Sequence, residues 1–135
     1  TLYTRDMTLS FFRVEQHSKR FLAAIKEDSK DSLNYILTDM QKDIRVSKEE
    51  VAEYADFEGE DDLVDFLEWY LDEMTVEINE NLRPLAEKLK NDYLDDKDYS
   101  RAQKDLQRFI DRHNDNVEEF FETKNDLVLE YLPED

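Results

Sequence analysis

Residues 58–81 read EGEDDLVDFLEWYLDEMTVEINEN, a segment with ten Asp and Glu residues and no Lys or Arg. Its apolar and aromatic residues recur at steps of three and four, the period of one helix face: Leu63, Phe66, Leu67, Tyr70 and Met74. Like charges three or four residues apart cost about 0.2–0.5 kcal/mol per pair. The segment therefore predicts an amphipathic helix whose apolar stripe must offset repulsion among its carboxylates.

The composition of the whole chain indicates an all-α fold. Its 135 residues include one glycine, two prolines and no cysteine. Sheet turns and phosphate-binding loops depend on glycine, because they need positive φ or close backbone approach. We therefore expect a single all-helical domain over residues 1–135, a bundle of five to six helices with short connections and a long C-terminal helix. The lack of cysteine excludes disulfides and thiolate chemistry.

Apolar periodicity predicts two helices before the acidic segment, at about residues 6–28 and 32–45. On the first of these, His17 falls on the outward face and is expected at the surface. The sequence SKEE at residues 47–50 has the form of a capping box, which predicts that a short third helix begins there.

The acidic segment begins the fourth helix, and Pro84 is expected to kink it or divide it, because proline has no amide hydrogen to donate. A final helix is predicted at about residues 99–131. His113 lies on its apolar seam, where a partly buried, hydrogen-bonded histidine is expected. The other seam positions are Leu106, Phe109, Ile110, Val117, Phe120, Phe121, Leu127 and Tyr131.

The negative charge is concentrated in one part of the chain. Residues 49–82 hold fourteen Asp and Glu and no Lys or Arg, so this acidic subregion carries −14 of the net charge of −18. On a helical wheel, one row of carboxylates lies opposite the apolar stripe and a second row lies on its flank, with Trp69 beside the first row. The rows are Asp61, Asp65, Glu68 and Asp72, and Glu73, Glu77 and Glu80.

Three interpretations of this charge are open. It can be a solvated face that keeps the protein in solution, or basic rows on the first and last helices can neutralise part of it. It can also dock against a positively charged surface, which the absence of mixed signs favours. Trp69 then either anchors the contact or is tucked against a neighbouring helix. The candidate partner-binding residues are Asp61, Asp65, Glu68, Trp69, Asp72, Glu73 and Glu77.

These features predict a non-enzymatic, acidic binding or inhibitor protein without a cofactor. The expected partner is a basic, nucleic-acid-binding protein such as a nuclease, a toxin or a defence protein, which would be engaged by mimicry of nucleic acid. Immunity proteins against nuclease toxins and phage-encoded inhibitors of host defence are similar in size and charge. We expect no direct contact with nucleic acid or membrane and a cytoplasmic location, with an extracellular one after processing as the alternative. A structural or chaperone-like bundle is a further possibility.

One enzyme class is also suggested by the carboxylates. The spacing of Glu50 and Glu53, followed by that of Asp62 and Asp65, resembles the paired carboxylate motifs of the all-α nucleotide pyrophosphatases, the MazG and dimeric dUTPase type. The resemblance implies that these four residues bind magnesium and that the protein hydrolyses nucleotides, a chemistry that two-metal sites support.

Overall fold

A computed structural model of the chain describes residues 2–58, 61–91 and 93–130. A 3₁₀ turn, Lys30–Ser32, precedes the second helix, and a π-helical segment, Ile78–Leu82, joins the third helix directly to the fourth. The all-α class and the long C-terminal helix are confirmed. The α-helices are α1 Leu2–Lys26, α2 Leu33–Glu58, α3 Asp62–Glu77, α4 Arg83–Lys90 and α5 Asp96–Glu130.

The predicted count of five to six helices is wrong. Because α3, the π-helical segment and α4 are continuous, the described residues form four helical rods. None of the helices in these ranges is long and apolar enough to cross a bilayer.

The helix α2 runs through residues 47–50 without a break, so the predicted capping box is not one. Ser47 is fully buried, and its hydroxyl donates to the carbonyl oxygen of Ser10 at 2.8 Å. It also accepts a hydrogen bond from Arg13 at 3.2 Å. The serine therefore links α2 to α1, whereas a cap would satisfy the amides of its own helix.

The helices α1 and α2 form an antiparallel pair. Their connection is short, and Asp28 takes the left-handed backbone conformation with φ 60° that ends many helices. Along the pair, the contacting residues increase in residue number on α1 and decrease in residue number on α2, from Ser10 with Glu50 to Arg20 with Asp39. This order fixes the direction of one helix against the other.

His17 belongs to this pairing and is not on the surface as predicted. The residue is 4% exposed, and its Nε2 lies 2.6 Å from a carboxylate oxygen of Asp43. Arg20 donates to Nδ1 at 2.8 Å, so Nε2 carries the proton that is shared with Asp43. The polar surroundings supplied by α2 explain why an outward-looking position on α1 is buried.

Pro84 is accommodated by the π-helical segment. The amide of Arg83 bonds to the carbonyl oxygen of Ile78, five residues earlier, and the wider turn places Pro84 at the second position of α4. Buried positions in this region, Met74, Ile78 and Leu82, are accordingly four residues apart. The chain therefore remains helical through Pro84, and the predicted division into two separate helices does not occur.

Aromatic residues from α1, α3 and α5 form the centre of the core. Phe11 stacks on Phe120 with ring centroids 4.3 Å apart and lies 4.7 Å from Tyr70. All five residues that define the apolar stripe of the acidic segment are buried. Phe121, which was assigned to the seam of α5, is 42% exposed, because it lies about 100° around the helix from Phe120. Tyr131 lies outside the described residues.

A polar cluster is embedded beside the aromatic core. The carboxylate of Glu15 on α1 is 1% exposed, and it accepts hydrogen bonds from the hydroxyl of Tyr70 on α3 and from Nδ1 of His113 on α5. His113 is thus a partly buried, hydrogen-bonded histidine, as predicted. Because a buried carboxylate without donors is strongly destabilising, these two bonds hold three helices together at one level.

The adjacent phenylalanines of α5 provide a matched test of this core. We expect Phe120→Ala to lower the free energy of unfolding by about 3–5 kcal/mol, because it removes a fully buried ring. Phe121→Ala should lower it by a smaller amount, about 1–2 kcal/mol, because this ring packs against Phe12 but is only partly buried. Urea unfolding followed by circular dichroism measures both values, and equal effects would contradict the assigned orientation of α5.

The buried cluster also predicts a difference at alkaline pH. Burial, together with the neighbouring Glu15 carboxylate, raises the pKa of Tyr70 well above its ordinary value. Below pH 10 the phenol is protonated in the folded and unfolded chains, and its stabilisation is fully present. Above about pH 10 the unfolded chain releases this proton while the folded chain retains it, so the free energy of unfolding falls.

Tyr70→Phe lacks this titration, so its stability relative to the unsubstituted protein should improve as the pH rises above 10. At pH 7 it should be less stable by about 1.5–3 kcal/mol, since the buried carboxylate of Glu15 loses one of its two donors. Tyr54, whose hydrogen bond to Asp6 also raises its pKa, is present in both proteins and cancels in the comparison. A stability difference that stays constant from pH 7 to 11 would refute the assignment.

Candidate partner-binding face

Asp61 caps the N-terminus of α3 and is used by the fold itself. Its carboxylate accepts hydrogen bonds from the amides of Leu63 and Val64 at 3.0 and 2.9 Å, an N-cap arrangement that is worth about 1 kcal/mol. The hydroxyl of Tyr3 donates to the same group at 2.6 Å. Asp61 was predicted to contact a partner, but three donors within the chain already surround its carboxylate.

The second predicted row of carboxylates is partly neutralised by α5. Arg112 lies 3.1 Å from Glu77 and 3.8 Å from Glu73, and Asn81 donates to Glu77 at 2.9 Å. The side chain of Glu77 is only 7% exposed. Glu77 is therefore not part of an exposed row, and internal counter-charge accounts for Glu73 and Glu77, while Glu80 lies exposed.

The first row remains at the surface. Asp65 and Asp72 are exposed and Glu68 is partly exposed. Lys48 lies 2.9 Å from Asp72, whose side chain is 73% exposed. An exposed pair of this kind contributes about 0–1 kcal/mol and leaves the carboxylate accessible. These three residues, with Trp69, define the acidic face of α3.

Trp69 is both packed and accessible. Its ring lies 5.9 Å from that of Phe66, yet 48% of the residue is exposed. It stands between α3 and α5, where it lines two open clefts. Both alternatives raised by the sequence thus apply to this indole. One part of it is tucked against Phe66, and the other part is open to anchor a contact.

One of these clefts, the acidic cleft, has a volume of about 490 Å³. Among the described residues that line it are four carboxylates and no Lys or Arg. Sequence reasoning assigned Asp65 and Trp69 but missed the contribution of α5, which reaches this cleft from more than fifty residues away. The lining residues are Asp62, Asp65, Phe66 and Trp69 of α3 and Glu119, Thr123 and Asp126 of α5.

The other cleft, the mixed cleft, has a volume of about 360 Å³ and contains both signs of charge. Trp69 and Glu119 line it as well, so the two clefts share an aromatic residue and a carboxylate. Its cations come from α5 itself, which carries a basic row at this level. The remaining lining residues are Arg108, Asp111, Arg112, Asp115 and Asn116.

The carboxylates of the predicted magnesium site do not come together in the described residues. Glu50 accepts hydrogen bonds from Ser10 at 2.6 Å and from both terminal nitrogens of Arg13 at 2.9 Å. Burial raises the pKa of Glu50, but the bonds from Arg13 and Ser10 outweigh this effect and hold the pKa below its ordinary value. In residues 2–58, 61–91 and 93–130, no three His, Cys, Asp or Glu side chains are placed to hold a metal ion.

Comparison of the chain with models of protein families, with curated proteins and with solved structures gives no match. The face is therefore interpreted from its own geometry. It combines accessible carboxylates with a half-exposed indole, both carried by helices that are fixed in the core. Such a surface can attract a cation over a distance and hold it by contact.

The two kinds of carboxylate on α3 should respond differently to substitution. Glu77→Ala should lower the free energy of unfolding by about 1–2 kcal/mol, because it removes the charge-assisted hydrogen bonds that Arg112 and Asn81 donate to its buried carboxylate. Asp65→Ala should change it by less than about 0.5 kcal/mol, since an exposed carboxylate among like charges contributes little. Thermal and urea unfolding at low salt provide the measurements. If Asp65→Ala destabilises as much as Glu77→Ala, the separation into structural and accessible carboxylates is wrong.

Proposed function

We propose that the protein is a non-enzymatic binding protein that engages the basic surface of a nucleic-acid-binding protein and inhibits it by mimicking nucleic acid. The observation that carries the proposal is the accessible acidic face of α3 beside a half-exposed tryptophan. Of the candidate residues, Asp65, Glu68, Trp69 and Asp72 remain available for a partner.

The charge of this face supports the proposal. Carboxylates three or four residues apart on a helix lie about 5–6 Å from one another. Their density is of the same order as that of a nucleic-acid strand, which carries about one charge per 3.4 Å. Carboxylates of α5 extend the negative surface across the acidic cleft. A groove that binds nucleic acid would be attracted to the same pattern, and encounter would be accelerated at low salt.

Trp69 supports a specific contact in addition to general attraction. Charge alone gives fast encounter but little short-range preference, whereas tryptophan is among the residues that contribute most to protein interfaces. Trp69 is held by Phe66 and by the helix that carries it, so little conformational entropy is lost when a partner covers it.

The test uses charge reversal with a matched control. The protein and Asp65→Lys/Glu68→Lys/Asp72→Lys are immobilised, and lysate of the encoding organism is passed over each at low salt. The control Glu27→Lys/Asp31→Lys/Glu118→Lys changes the net charge equally at exposed positions outside the face. We expect the unsubstituted protein and the control to retain a basic protein that duplex DNA displaces, and the face variant to lose it.

Salt dependence completes the test, since the interaction should weaken steeply once the screening length falls to about 8 Å near 0.15 M salt. If the face variant retains the same protein as the control, or if duplex DNA does not displace it, the proposal is wrong.

A further inference from the structure

We propose that the acidic cleft binds an arginine side chain of the partner, with the guanidinium against the indole of Trp69 and between carboxylates of α3 and α5. This inference rests on the proposed function, which requires only a basic partner. It specifies that the positive group is an arginine side chain and that this side chain binds in the acidic cleft.

The two clefts that flank Trp69 differ in their charge balance. In the mixed cleft, Arg108 and Arg112 accompany three carboxylates and line the same space as the indole. In the acidic cleft, the described lining residues include four carboxylates and no cation. The chain thus supplies its own arginines on one side of Trp69, while the other side has the same aromatic and acidic components without one.

The helices that form the walls of the acidic cleft are held in place by the core. Phe66 is buried, and its ring lies 6.3 Å from that of Phe120, which ties α3 to α5 directly behind the cleft. Asp62 and Asp65 lie one turn apart on α3, and Glu119 and Asp126 lie two turns apart on α5. A preformed site of this kind loses little binding free energy to rearrangement.

Arginine fits these components better than lysine does. A guanidinium is planar, so it can lie on the indole and still donate in its plane to carboxylates on either side. It is also more weakly hydrated than an ammonium group, which lowers the cost of entering a cleft with an aromatic wall. A bound metal ion is disfavoured, since no three candidate ligands converge in the described residues.

Trp69 is the only tryptophan of the chain and reports directly on this cleft. Hexa-arginine and hexa-lysine peptides, which carry equal charge, are titrated into the protein at low salt. Calorimetry gives the affinities, and tryptophan fluorescence shows whether the indole is contacted. We expect hexa-arginine to bind at least about threefold more tightly, the advantage of a cation–π contact, and to quench the fluorescence.

Two variants locate the effect. Asp65→Asn/Glu119→Gln is nearly isosteric and should lower the affinity for hexa-arginine by about tenfold. Glu27→Gln/Asp31→Asn removes the same charge at exposed positions near the α1–α2 connection and should lower it by less than about twofold. Trp69→Leu keeps an apolar side chain and should abolish the preference for arginine over lysine.

The outcomes separate this inference from the proposed function. Equal affinities for both peptides, with no change in fluorescence, would overturn the arginine cleft and leave capture of a basic partner intact. Equal losses of affinity for hexa-arginine in Asp65→Asn/Glu119→Gln and in the control Glu27→Gln/Asp31→Asn would also overturn the arginine cleft and leave capture of a basic partner intact. If neither peptide binds at low salt, both the cleft and the proposed function fail.

Discussion

The buried carboxylate of Glu15 constrains the rest of the bundle. It lies beside stacked aromatic rings, where an anion is tolerated only with donors on several sides. Tyr70 and His113 supply those donors, so α3 and α5 must meet α1 at the same level. That requirement sets which residues of α3 and α5 face each other. Trp69 immediately precedes Tyr70 and is therefore directed toward the surface between the two helices.

The acidic helix is stable because its carboxylates have different roles. Asp61 caps the helix, and Glu73 and Glu77 are paired with an arginine from α5. Asp65 and Glu68 face solvent and contribute repulsion, which the buried apolar stripe offsets. The net charge of −18 is thus a poor guide to the accessible field. A partner encounters only the carboxylates that are not already engaged in the helix cap or in ion pairs within the protein.

Local pattern predicted the features that depend on one helix alone. The apolar stripe of α3, the position of His113 and the all-α class follow from helical period and from the scarcity of glycine. The errors involve residues whose partners come from another helix. Ser47 resembles a cap until α1 offers it a carbonyl oxygen, and His17 looks exposed until Asp43 packs over it.

The candidate site shows the same division. The exposed row and Trp69 were visible in one segment, whereas Glu119 and Asp126 reach the cleft only because the tertiary fold brings α5 beside α3. A one-dimensional pattern carries no signal for such a pairing. The acidic spacing on α5 was present in the sequence, but nothing there identified which helix it would face.

The π-helical segment has a consequence for the phase of the third rod. Ala86 of α4 and Met74 of α3 are both buried, although twelve residues of regular α-helix would turn one about 120° away from the other. The one additional residue in the wide turn restores the alignment, since each residue turns a helix by about 100°. The loss of a single residue between 78 and 82 would make this turn regular and keep the phase of α4, but Pro84 would then lie inside an uninterrupted α-helix, where its ring clashes with the carbonyl four residues earlier. The additional residue in the wide turn is therefore coupled to the proline that follows it.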